Sequence, residues 1–333
     1  MGDTGYVETI DPYLIDPAKL GIAWTGEAPP FACLDLDGLG IDPWPLRLPP
    51  FPIIGIGDPA HPAARLLDTV VEAPVRLDRV VEQVTRYPLA AAAVVQLLRA
   101  TEGTEVDHAL AMESICYAML QGSAEHGCWI DAQPPAEPAP PGRVDLTRDG
   151  ATLRIVIDRP GALNAIDRPL RDGLFEAFTL AALDADIARV ELRAIGRTFS
   201  TGADLSEFGT TRDPAIAHHI RGLTLPAHPL SRCGARVDVH VQGACVGSAL
   251  EMAAFAGHVA ASPSAWFQLP ELAMGVIPGA GGCVSIPRRI GRQRTALMIL
   301  SGKRIDADTA LRWGLIDAIM DQPPVDPGGT HAD

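Results

Sequence analysis

The chain has 333 residues, of which 47% are hydrophobic and 20% charged, and its formal net charge is −14. This composition excludes global disorder, because it can build a large buried core, and the length allows two domains or one domain with a large extension. The acidic balance excludes a nucleic-acid partner, which needs basic patches, whereas a few local arginines and helix N-termini can still bind an anionic ligand.

The sequence lacks the usual targeting and metal-binding patterns. Residues 1–20 have neither the basic nor the apolar region of a signal peptide, and no apolar run reaches the roughly 18 residues of a membrane span. The six cysteines form no CxxC pair, and no second ligand pair stands near His126 and Cys128. We therefore expect free thiols in a reducing, cytoplasmic compartment, no bound metal and no membrane association.

The N-terminal part divides by composition into three segments. Residues 1–63 are rich in Pro, Gly and Asp without sustained periodicity, which predicts an extended arm that wraps a surface and has no core of its own. Residues 64–132 carry apolar side chains at helical spacing, which predicts a small helical unit. Its helices are expected near 66–71, 77–84, 88–99 and 106–121. The Pro-rich residues 133–143 predict a semi-rigid linker.

From residue 144 to 320 the pattern changes to alternating strands and helices. Strands are expected at 152–157, 190–195, 237–241 and 259–261, and helices at 170–183 and 248–256. This alternation predicts an α/β fold with crossover helices. Residues 321–333 are rich in Pro and Gly and are expected to form a loose tail.

Four segments of this second half carry a family resemblance. They are 158–165 (DRPGALNA), 199–205 (FSTGADL), 242–251 (QGACVGSALE) and 269–282 (LPELAMGVIPGAGG). In this order and at these spacings they resemble the crotonase (enoyl-CoA hydratase/isomerase) superfamily, over just over half of the chain. The resemblance implies a crotonase-like ββα spiral core, here preceded by the N-terminal arm and the small helical domain.

Acyl-CoA chemistry of this type forms an enolate, whose negative charge develops on the thioester oxygen. Two backbone N–H groups aimed at that oxygen stabilise it. The resemblance implies that Ala203 and Ser248 supply these donors. The family more often has Gly where Ser248 stands, but the donor is the backbone amide, which this difference leaves in place.

Two glutamates are the candidate acid and base. Glu251 lies three residues beyond Ser248 in an otherwise apolar helix, where burial should raise its pKa towards a value useful in catalysis. Glu271 follows an apolar stretch that ends at Pro270. Both match glutamates that the family's hydratases use. The resemblance implies that one glutamate activates water for addition at Cβ, and Glu271 is the expected proton donor at Cα.

The resemblance implies a CoA thioester as substrate, or the equivalent thioester of an acyl-carrier protein, and no permanently bound cofactor. The candidate ligand-binding residues are Arg159, Ala162, Asn164, Gly202, Asp204 and Leu205. Family members often have a Lys near the nucleotide phosphates, at the position where this chain has Gly161. The phosphates would therefore have to be bound by Arg159, Arg168 or Arg171. The region 206–235 is expected to line the acyl pocket with residues such as Phe208, Ile216 and Leu223.

Two departures from the family pattern concern the ends of the chain. Family hydratases usually continue beyond the Gly314 segment as helices that cap the active site and help to form trimers, whereas this chain ends at Asp333. We expect the helices of residues 64–130 to replace that cap, and a homo-oligomer, either trimer or hexamer.

The retention of both glutamates favours a hydro-lyase, an enoyl-CoA hydratase-like enzyme that adds water to an acyl thioester or removes it. Isomerisation with one carboxylate is an alternative. So is cofactor-independent oxygenation of an arylacetyl-CoA, because the dihydroxyphenylacetyl-CoA dioxygenase group also carries a helical N-terminal extension. A catalytically silent acyl-CoA-binding scaffold is the alternative of another class.

Overall fold

A computed structural model describes residues 11–20, 24, 27–39, 48–134 and 139–321 of the chain. Residues 322–333 of the expected tail and residues 135–138 of the expected linker lie outside the described residues.

A small parallel sheet, which the sequence did not predict, lies in the N-terminal part. Its strands, in spatial order, are β1 (Ala32–Asp35), β2 (Ile53–Ile56) and β3 (Thr69–Val70). They pack around a cluster of their own that contains Leu34, Ile53 and Leu67. The expectation of an arm without a core is therefore wrong for this part. Short parallel strands buried on both faces show no alternation, so periodicity does not reveal them.

Four helices follow. They are α1 (Leu77–Arg86), α2 (Pro88–Thr101), α3 (Val106–Gln121) and α4 (Ala124–Asp131). The first three were predicted, with Pro88 as the first residue of α2 and Gly122 as the end of α3. The helix expected near 66–71 is wrong, since Ala64–Leu66 forms a 3-10 turn that leads into β3. Helix α4 was not predicted; it begins after Ser123, whose hydroxyl accepts from the amide of His126.

The second half contains two further sheets. The strands are β4 (Arg143–Asp149), β5 (Thr152–Asp158), β6 (Arg189–Ala194), β7 (Val237–Val241), β8 (Ala244–Val246), β9 (His258–Ala261), β10 (Trp266–Gln268), β11 (Ile305–Asp306) and β12 (Ala318–Ile319). The larger sheet has the order β12-β9-β7-β6-β5-β4 and is parallel except at the β4–β5 pair. The smaller has the order β11-β10-β8.

Helices connect and cover these strands. They are α5 (Arg168–Leu183), α6 (Pro214–Thr224), α7 (Ala227–Cys233), α8 (Ser248–Ala253), α9 (Gly282–Ser301, interrupted by the non-helical Gly291) and α10 (Ala307–Trp313). Leu170, Leu174 and Phe178 of α5 are buried at helical spacing against the core. The strands and helices predicted for 152–261 are thus confirmed, with small shifts at their ends.

A buried carboxylate joins the N-terminal sheet to the second half of the chain. Asp68, which is fully buried, accepts from the amide of Ile53 at 2.8 Å and pairs with Arg99 of α2 at 2.5 Å. Arg292 of α9 reaches the other carboxylate oxygen of Asp68 at 3.6 Å. One carboxylate therefore ties β2, α2 and α9 together.

Within the described ranges, no helix has both the length and the apolar character that a membrane crossing needs. The same residues contain no group of three or more His, Cys, Asp or Glu that could hold a metal ion. All six cysteines are unpaired, and four of them are buried.

We predict that Asp68→Asn lowers the free energy of unfolding by about 3 kcal/mol, because it removes the buried anion that Arg99 and Arg292 share. Urea unfolding followed by circular dichroism measures this change. Asp131→Asn, which alters an exposed aspartate, is the control and should unfold like the wild type. Equal unfolding midpoints for the two variants would show that the Asp68 network does not hold the two parts together.

Candidate active site

One cavity of about 790 Å³ brings the predicted chemistry together. Its lining includes all four predicted catalytic positions, which are Ala203, Ser248, Glu251 and Glu271. The loop 201–211, the start of α8 and the turn after β10 form part of its wall. Helix α3 of the N-terminal part also contributes to the wall.

The amides of Ala203 and Ser248 each follow a glycine with positive φ. Gly202 has a φ of 88° and Gly247 a φ of 50°, in the region that favours glycine. A Cβ atom on Gly202 would lie 2.8 Å from the carbonyl oxygen of Val246 and 3.6 Å from the Cα of Gly247. The two glycines therefore meet backbone to backbone, and the amides that follow them are neighbours. Neither amide has an acceptor within the described part of the chain.

The loop that carries Ala203 is held in place by backbone contacts. The amide of Ser200 donates to the carbonyl of Ala244, and the amide of Val246 donates to the carbonyl of Ser200, so the loop runs alongside β8. The hydroxyl of Ser200 also donates to the carbonyl of Asn164 at 2.7 Å and accepts from the amide of Gly202 at 3.1 Å. This loop is therefore rigid before any ligand binds.

Glu251 lies on α8 and is 2% exposed. Its Oε2 accepts from the amide of Ala280 at 2.6 Å and from the amide of Gly282 at 2.8 Å. Burial raises the pKa of Glu251 to about 7, against the opposing effect of these two amides. The carboxyl can therefore exchange a proton near neutral pH, as a general base must.

Glu271 begins the 3-10 turn Glu271–Met274 and is also buried. Its Oε2 has no hydrogen-bond partner in the described part of the chain, and its Oε1 lies 2.5 Å from where a Cβ of Gly247 would stand. Burial, and then the charges of Glu251 and Glu113, raise the pKa of Glu271 well above its usual range. This carboxyl is therefore the one best suited to hold a proton.

Sequence reasoning missed a third buried carboxylate, Glu113 of α3, which is 1% exposed. It accepts from the amides of Gly281 at 2.7 Å and Cys283 at 2.8 Å. The buried face of α3 contains Leu110 and Glu113, whereas Ile115 and Met119 on the same helix are exposed. A glutamate three residues from Leu110, on the same helical face, was the available signal.

Only part of the region that was expected to line the acyl pocket lines the cavity. Ile216 and Leu223 are exposed and do not line it, whereas Phe208 does. The N-terminal Tyr117 lines it instead, with the guanidinium of Arg221 4.6 Å from the centre of its ring. No pattern in the sequence indicates this pairing, since the two residues lie on separate helices.

The candidate ligand-binding residues fall into two groups. Gly202, Asp204 and Leu205 line the cavity, as do Arg168 and Arg171. The cavity lining does not include Arg159, Ala162 or Asn164.

Arg159 and Asn164 have structural contacts instead. Arg159 is buried and donates to the carbonyls of Pro140 and Ala165 and to Asp204 at 2.6 Å, so its guanidinium braces the loop. Asn164, also buried, donates to the carbonyls of Ile195 and Thr198. A phosphate contact by Arg159 is therefore not supported, because the side chain is already occupied away from the cavity.

Comparison with known proteins gives a consistent result. The family model described as enoyl-CoA hydratase/isomerase matches residues 147–326. A mevalonyl-coenzyme A hydratase of Beauveria bassiana is 31% identical over 176 residues, which are 50% of this chain and 63% of that protein. A 2,3-dehydroadipyl-CoA hydratase of Escherichia coli (strain K12) is 31% identical over 175 residues, which are 53% of this chain and 68% of that protein.

A solved structure supports the fold. The crystal structure of an enoyl-CoA hydratase/isomerase from Mycobacterium paratuberculosis matches with a TM-score of 0.50 and 27% identity, over 54% of this chain and 74% of that one. The second half of the chain thus has the crotonase-type α/β fold that the sequence predicted. The chain belongs to the enoyl-CoA hydratase/isomerase family. It spans less than two thirds of the fungal hydratase.

Proposed function

We propose that the chain adds water to the double bond of an α,β-unsaturated acyl-CoA, or removes it in the reverse direction. The proposal rests on one observation. A single cavity is lined by two residues whose amides have no acceptor among the described residues and by two buried carboxyls of raised pKa. The relatives named above are hydratases of CoA thioesters, which supports the same class of substrate.

Each group has one role in the proposed reaction. The amides of Ala203 and Ser248 donate to the thioester oxygen as it gains negative charge, and loss of one such donor typically costs about 3–4 kcal/mol of barrier. Ionised Glu251 takes a proton from water as the water oxygen bonds to Cβ. Protonated Glu271 delivers its proton to Cα, which completes the hydration. Proton exchange then restores both carboxyls for the next turnover.

We predict that Glu251→Gln and Glu271→Gln each lower kcat at least ~100-fold, because each removes one proton-transfer step. The fall in absorbance of crotonyl-CoA as it is hydrated measures kcat, and circular dichroism checks the fold. Glu176→Gln alters an exposed glutamate of α5 and should keep the wild-type rate.

An unchanged rate in either buried variant would contradict the two-carboxylate mechanism. Assays of the wild-type protein distinguish hydration from the alternative functions. Oxygen uptake with an arylacetyl-CoA would indicate the dioxygenase reaction, and tight thioester binding without any turnover would indicate a scaffold.

We further propose that the helical unit of residues 64–132 acts as the cap of this active site. Helix α3 contributes Glu113, which accepts from the amide of Gly281, and Tyr117, which lines the cavity. Helix α4 packs on the turn that carries Glu271, where the Nδ1 of His126 lies 2.8 Å from the carbonyl oxygen of Met274. A Cβ on Gly275 would lie 2.7 Å from the backbone of Glu125, so the two segments are in close contact.

We predict that deletion of residues 1–140 leaves an insoluble or inactive remnant, because it removes the partner of the amides of Gly281 and Cys283 and opens the cavity. Solubility, circular dichroism and crotonyl-CoA turnover of the remnant, compared with those of the full chain, measure the effect. A folded remnant with wild-type turnover would refute the capping role.

A further inference from the structure

The turn that opens helix α9 is shared by two carboxylates from different parts of the chain. Its four successive amides, from Ala280 to Cys283, donate alternately to Glu251 and Glu113. Glu251 uses one oxygen for two amides, which leaves its other oxygen for the cavity. Glu113 uses both oxygens and does not line the cavity. Glu113 is therefore placed to act through its neighbours, without touching the substrate.

The hydrogen-bond contacts favour the ionised form of Glu113 and Glu251 and the protonated form of Glu271. Both oxygens of Glu113 accept N–H donors at the start of a helix, which stabilises the ionised form. Glu251 has the same support at one oxygen. The Oε2 atom of Glu271 is buried and accepts no hydrogen bond from the described residues. Burying a carboxylate without a hydrogen-bond partner costs more free energy than burying the neutral acid. Three negative charges in one desolvated cluster would repel each other. A proton is therefore retained on the carboxyl that accepts the fewest hydrogen bonds, which is Glu271.

The other ionisable groups around Glu113 are few. Burial and the charge of Glu251 raise the pKa of Glu113 well above its usual range, whereas the amides of Gly281 and Cys283 and the guanidinium of Arg221 lower it. Because both oxygens of Glu113 accept hydrogen bonds and Oε2 of Glu271 accepts none from the described residues, the contacts place the proton on Glu271 and the charge on Glu113. Tyr117 and Cys116 of its own helix and Cys283 of α9 have their pKa values raised by burial, so they are neutral near pH 7. The remaining charged neighbours are Glu251 and Glu271. No other ionised group among the described neighbours competes with the three carboxyls for the proton.

We propose that Glu113 is a positioning residue of the acid–base site: as a fixed anion on the first turn of α9, it keeps the single proton of the three-carboxylate cluster on Glu271. The N-terminal part of the chain would thereby set the protonation state of the catalytic pair as well as cover it. The catalytic meaning of this inference rests on the proposed hydration, but the location of the proton does not.

Infrared spectroscopy of the substrate-free full chain tests the location of the proton, because a protonated carboxyl has a C=O band that a carboxylate lacks. We expect the wild type to show a buried carboxylic-acid band at pH values above the pKa of Glu251, which is about 7, and Glu271→Gln to lack the band there. In Glu113→Gln the band should titrate about one pH unit lower, since a neighbouring negative charge has been removed. Asp107→Asn removes an exposed charge from the same helix and should titrate as the wild type does.

A band that survives in Glu271→Gln, an unshifted titration in Glu113→Gln, or an equal shift in Asp107→Asn would each overturn the inference. If Glu113→Gln fails to fold, the comparison of the wild type with Glu271→Gln still shows whether the proton lies on Glu271, and a band that survives in Glu271→Gln still overturns the inference. If the spectra are as expected but the chain hydrates no enoyl-CoA, the proposed function is contradicted, whereas the inference about the location of the proton is supported.

Discussion

The site depends on the close approach of two backbones, those of Gly202 and Gly247. Each glycine has a positive φ, and neither position has room for a Cβ atom. This contact brings the amides of Ala203 and Ser248 next to each other at the cavity wall, and neither amide has an acceptor among the described residues. The sheets, the Ser200 contacts and the start of α8 all serve to keep these two amides in position. Such preorganised donors are the largest single contribution to many enzymatic rates.

Desolvation is the second constraint, and it links the two halves of the chain. Burial away from water raises the pKa of a carboxyl. At this site the exclusion comes in part from the N-terminal helices, since α3 buries Glu113 against the start of α9 and places Tyr117 in the cavity wall. The acid–base chemistry that we propose would therefore depend on residues that lie outside the segment that matches the family, residues 147–326.

The sequence predicted most of the second half well. Strands β5, β6 and β7 and helix α5 have strong apolar periodicity, and the glycine-containing motifs marked the turns that carry Ala203 and Ser248. The prediction from sequence was wrong or incomplete where contacts between distant residues determine the structure. The short strands β1 to β3 have no periodic signal, and Arg159 could be recognised as a brace only once Asp204 lay beside it. Glu113 could not be assigned to the site because its partners are 168 and 170 residues away along the chain.

The most direct test of the account is a crystal structure of Glu271→Gln with an unsaturated acyl-CoA bound. The account predicts that the thioester oxygen lies about 3 Å from the amide nitrogens of both Ala203 and Ser248, with Glu251 facing Cβ. A thioester whose oxygen points away from these two amides, or an acyl chain that occupies another part of the molecule, would contradict it.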